Sequence, residues 1–168
     1  MNDPLATYVE DHLAGAAYAI DRLEAIRDQH EGEPLGRFAA GMLVEVEADR
    51  EVLAGLAKRI GTGSSGLKGL SAWVAEKVSR LKLKRGASGG LGTFEALEFL
   101  ALGIHGKRAL WRALALVAPE DSRLDHLDFE HLAARAETQH AQMEERRLES
   151  ARMALRPSGG DDSRPVAG

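Results

Sequence analysis

Apolar residues recur at steps of three and four through most of this chain, and that spacing predicts helices. Leu5, Val9, His12, Ala16, Ile20 and Leu23 form one stripe, on a helix expected over 4–29 that begins at Asp3-Pro4. Asp is suited to cap free amides there, and Pro is tolerated at the first helical position. Gly32 and Pro34 punctuate the turn that follows. A second stripe, Leu35, Phe38, Met42, Val46, Asp49, Leu53, Leu56 and Ile60, marks a helix over 35–60 with a carboxylate inside an otherwise apolar series. A third, shorter one (Leu67, Leu70, Val74, Val78, Leu81) predicts a helix over 67–84 between two glycine-rich stretches. The helix expected over 93–117, with Thr93 as its cap, is apolar around most of its circumference and should be the most buried. The last helix is expected over 124–155, before Pro157. No alternating strand pattern and no internal repeat is present.

The order of these elements sets the topology. Short turns make the first and second long helices antiparallel neighbours, and likewise the last two. About thirty residues separate the two pairs, enough to return along a helix of about 25 residues, roughly 38 Å long. The expectation is one all-α domain over 1–155, a four-helix bundle whose long crossover holds a short fifth helix, followed by a disordered tail over 156–168 rich in Gly, Asp, Ser and Pro.

Composition agrees. The chain has 168 residues, enough for one full core, and aromatics are only 5%, so the core must be built mainly from Leu, Ala, Val and Ile. There is no cysteine, which removes disulfides and thiolate chemistry. The N-terminus lacks a basic region followed by an apolar stretch, and the most apolar segment, 94–117, is interrupted by Glu98, His105, Lys107, Arg108 and Arg112. Neither a secretory signal nor a membrane span is expected, and a cytoplasmic location follows as the expectation. The formal charge of −4 is uneven. Residues 67–92 hold Lys68, Lys77, Arg80, Lys82, Lys84 and Arg85 against Glu76 alone. That run lacks interleaved aromatics, so nucleic acid is not expected as a partner. The glycine stretches lack the Lys-Ser/Thr ending of a phosphate loop, and no Ser/His/Asp constellation emerges.

The helix order, helix lengths and long crossover resemble the ferritin-like superfamily over roughly residues 5–155. In that superfamily two helices each supply a Glu, and two each supply Glu-x-x-His, to a dinuclear metal site inside the bundle. Glu137-Thr138-Gln139-His140 matches the second pattern, while Glu47-Ala48-Asp49-Arg50 has Arg in place of His. Arginine cannot ligate a metal. The resemblance therefore implies Glu137, His140 and Asp49 as candidate metal ligands, with Glu45, His105 and His12 as further candidates. Iron, manganese or zinc would suit them. In a second reading Arg50 stands in for the metal's charge by pairing with Glu137 or Glu47. In a third, these groups are solvated surface charges. Ala-rich stretches such as 14–19 permit close helix contact, and a symmetric homodimer is expected for a bundle of this size. The function expected is that of a binding or assembly module with a degenerate metal site rather than an enzyme; the alternative is a metal-binding bundle with redox or oxygen chemistry.

Overall fold

Four long helices account for most of the described residues in the computed structural model, which describes residues 3–61 and 90–156. They are α1 (Pro4–Gln29), α2 (Pro34–Ile60), α3 (Leu91–Val117) and α4 (Phe129–Ala154). Two single turns of 3₁₀ helix, Ala118–Glu120 and Ser122–Leu124, join α3 to α4. The helix expected over 67–84 and the tail beyond Arg156 lie outside the described residues.

Local chemistry explains most of the helix ends. The Asp3 carboxylate accepts from the Leu5 amide at 3.0 Å, and Pro4 opens α1. Gly61 closes α2 at φ 81°, a left-handed conformation that glycine adopts without steric cost. The α1–α2 turn is tight: a Cβ at Gly36 would collide with the His30 carbonyl, so only glycine fits there. Two expected starts are corrected. Thr93 does not cap α3, which begins two residues earlier at Leu91; the Thr93 hydroxyl instead lies 3.3 Å from the His30 ring. Helix α4 begins at Phe129, not Leu124. His126 sits at φ 74°, incompatible with a continuous helix, and the Asp128 side chain caps the His131 amide at 2.9 Å.

The core falls into two apolar clusters, one toward each end. The first joins Val9 of α1, Leu53 to Ile60 of α2, Leu110 to Leu114 of α3, and Phe129, Leu132 and Ala136 of α4. The second joins Leu23 and Ile26, Ala39 to Val46, Leu97 to Ile104, and Met143. The N-terminal part of α1 thus lies level with the C-terminal parts of α2 and α3. It follows that α1 and α2 are antiparallel, α3 and α4 are antiparallel, and α2 and α3 run parallel. The C-terminal end of α2 and the N-terminal end of α3 therefore lie at opposite ends of the bundle, about 40 Å apart for a 27-residue helix.

Helix α3 is not the uniformly buried helix its composition suggests. Leu97, Leu100, Ile104, Trp111 and Leu114 face the core, but Leu102 and Leu116 lie on its outer side, 68% and 80% exposed. An apolar circumference favours burial without supplying neighbours on every side. Among the described residues, no helix is long and apolar enough to cross a membrane.

Candidate functional site

Between the two apolar clusters lies a polar layer. Its central residue is Asp49, 3% exposed, on the core face of α2. One turn earlier on the same face is Glu45. Helix α4 presents Arg135 and Gln139, again one turn apart, and α3 presents Lys107. Because α2 and α4 run in opposite directions, Glu45 meets Gln139 while Asp49 meets Arg135. Helix α1 crosses this level with Ala14, Gly15, Ala16 and Ala17 and adds no charge.

The hydrogen bonds close the layer. Lys107 donates to Asp49 Oδ2, and at 2.5 Å to Gln139 Oε1. Arg135 donates to Asp49 Oδ1. The Gln139 amide donates to Glu45 Oε2 at 2.9 Å and to Asp49 Oδ2 at 3.2 Å. Gln139 is fully buried, and both ends of its amide are engaged. Two carboxylates face two cations, so the layer carries no net formal charge. Its charges differ in access to water: the Lys107 side chain is 15% exposed and that of Arg135 34%. Burial is the largest influence on the Lys107 ammonium and brings it down from 10.5 to about 8, with the Glu45 carboxylate pulling the other way.

The structure distributes the sequence-derived candidates over several places. Asp49 and Glu45 are in the layer. Glu137 is on the α3–α4 surface, paired with Arg108 at 2.5 Å and about half exposed. His140 lies beside it against His105, ring centroids 5.7 Å apart. His12 belongs to α1 near the first apolar cluster, its ring edge-on to Tyr8 at 4.8 Å, and burial holds its pKa below the usual value. Arg50 takes no part in the layer. It is exposed in a groove between α1 and α2, lined also by Asp21, Glu47 and Glu51. The cations that neutralise Asp49 are Lys107 and Arg135, not Arg50.

Gln139, Lys107 and Arg135 were not among the candidates, although two of them left a trace. The buried stripe of α4 is Phe129, Leu132, Ala136, Gln139 and Met143, so Gln139, not His140, interrupts it. One residue is about 100° of helix rotation, which carries His140 out of the core. Lys107 breaks the apolar run of α3, but so do its neighbours, and only packing separates it from Arg108.

The residues present do not fit the dinuclear centre that a ferritin-like bundle would hold. Both Asp49 oxygens are taken by cations, and Glu137 and His140 are turned away from Asp49. Among the described residues no three His, Asp or Glu side chains converge in a way that could hold a metal ion. What the arrangement does provide is a neutral polar plane tying three helices together, in which the buried Nε of Arg135 is left without a hydrogen-bond partner. Comparison of the chain with protein-family models, with curated proteins and with solved structures finds no match.

Proposed function

We propose that this chain is a ferritin-like bundle serving as a binding or assembly module, in which a lysine–aspartate–arginine–glutamine layer stands where the superfamily keeps its metals. The observation that carries this reading is the saturation of Asp49 by Lys107 and Arg135 at mid-bundle. Cations already engage both oxygens of the carboxylate, and a Lys and an Arg at that point repel a metal ion. The layer therefore acts on structure. A buried polar group that finds its partners in one helix arrangement alone penalises rotated or shifted arrangements, which helps a small-residue bundle keep one register. With the interior committed in this way, recognition falls to the outside, where the grooves between α1 and α2 and between α3 and α4 are lined by charged side chains.

The test is metal content. Elemental analysis of the purified protein and calorimetric titration with Fe(II), Mn(II) and Zn(II) are expected to give no stoichiometric binding. Stoichiometric metal that is lost in Glu45→Gln and Asp49→Asn would overturn the reading and restore the metal-binding alternative.

A further inference from the structure

The outer face shared by α3 and α4 has two properties in combination. The first is apolar exposure. Leu102 and Leu116 of α3 stand 68% and 80% exposed, with Ala109 and Ala113 between them, and Leu148 of α4 is 50% exposed. At 100° per residue Leu102, Ala109, Ala113 and Leu116 fall on one side of α3, and an apolar stripe left exposed in this way marks an interaction surface. The second is the order of charges. A groove of about 500 Å³ runs between the two helices, with Ala115, Phe129, Ala133 and Ala134 as its apolar lining. Arg108 and Arg112 border it on the α3 side, Glu130 and Glu137 on the α4 side. Arg108 and Glu137 pair across it, whereas Arg112 and Glu130 form no ion pair among the described residues.

The charge order identifies what fits. A uniformly acidic partner would be drawn to Arg108 and Arg112 but repelled by Glu130 and Glu137, and a basic one the reverse. The complementary object carries the same cation row and anion row in exchanged positions. A second copy turned about an axis parallel to the helices presents that arrangement, because the operation lays α3 of each copy over α4 of the other at the same level. The level is set by contacts already within one chain: Arg108 with Glu137, His105 with His140, and Glu98 with Arg147. Arg112 then falls between the levels of Glu130 and Glu137 of the second copy.

We propose that this chain forms a two-fold homodimer through its α3–α4 face, with Arg112 of each copy pairing with Glu130 of the other and Leu102 and Leu116 buried between them. The proposal rests on the assembly reading above and names its partner. Metal content reports on the interior and oligomeric state on this surface, so either can fail alone.

Sedimentation velocity of the full chain across the micromolar range tests it. Wild type is expected to sediment as a dimer. Arg112→Glu and Glu130→Arg, each placing like charges opposite one another twice per dimer, should each raise the dissociation constant by roughly a hundredfold. The combined Arg112→Glu/Glu130→Arg exchange should restore the dimer, a rescue that general surface damage would not give. Leu116→Glu should yield a monomer whose helical circular dichroism is unchanged. A monomeric wild type would overturn the proposal, as would a dimer indifferent to these changes.

Discussion

Replacing Asp49 with alanine tests whether the polar layer behaves as one linked network. The substitution removes a carboxylate that is 3% exposed and is hydrogen-bonded to two cations and to a fully buried glutamine. The two cations respond differently. Arg135, about one-third exposed, can swing its head toward water. Lys107, 15% exposed and already held down to about 8 by burial, cannot do so cheaply. Gln139 keeps Glu45 and Lys107, so the main cost is one ammonium left in the interior without its carboxylate. Breaking a buried pair from one side costs about 3–5 kcal/mol. Lys107→Met should cost less, because Arg135 still holds Asp49 and the Met side chain fills much of the lysine volume. In Asp49→Ala/Lys107→Met the orphan charge is gone, and the double variant should be more stable than Asp49→Ala alone. Urea denaturation followed by circular dichroism gives the three differences, provided the denaturant slope stays constant. Additive losses, or an Asp49→Ala loss under about 1 kcal/mol, would refute the reasoning, since contacting members of a network couple by about 0.5–3 kcal/mol.

The lowered Lys107 pKa carries a definite sign. Between pH 8 and 10.5 the unfolded chain binds a proton that the folded chain does not, so this group's contribution to stability rises with pH across that window, by a few kcal/mol at most at about 1.4 kcal/mol per unit. Urea midpoints measured through that range in wild type and Lys107→Met should differ in slope, the variant losing the rise. Replacing the layer as a set, with Asp49→Leu, Lys107→Met and Gln139→Leu, should leave stability unchanged or raise it by about 1–4 kcal/mol. The same change should broaden amide resonances by NMR, because Glu45 and Arg135, left at the rim, then have no buried partner to select one register. Gly36→Ala, which drives a methyl group into the His30 carbonyl, should cost about 1–3 kcal/mol in thermal or urea unfolding. Ala at the neighbouring Gly41, which meets nothing within 4 Å, should be tolerated.

The chain's periodicity was sufficient to place the four long helices among the described residues, because side-chain spacing, proline and glycine act within a few residues of where they sit. Pro4 opens α1 and Gly61 ends α2; the α2 stripe faces inward, while on α1 Val9 and Leu23 of the expected stripe are buried together with Tyr18 and Ile26 beside it. The same locality explains the small errors. Nothing in composition warns that His126 takes a positive φ and holds back the start of α4 until Asp128 can cap it. Asp49 was legible as well, since a carboxylate in step with leucines must be buried or must break the stripe.

What required the tertiary structure was the choice of partners for Asp49. Lys107 and Arg108 are adjacent on one helix, as are Gln139 and His140 on another, and each pair offers one residue to the core and one to the surface. Which one enters depends on helix rotation and on the relative height of α2, α3 and α4, and these are global properties of the packed bundle. A Glu-x-x-His spacing states that two side chains can share a face. It does not say which face, and here that face is the surface, with Glu137 on Arg108 and His140 beside His105. The interior is left to a glutamine and a lysine whose significance depends on the carboxylate they meet.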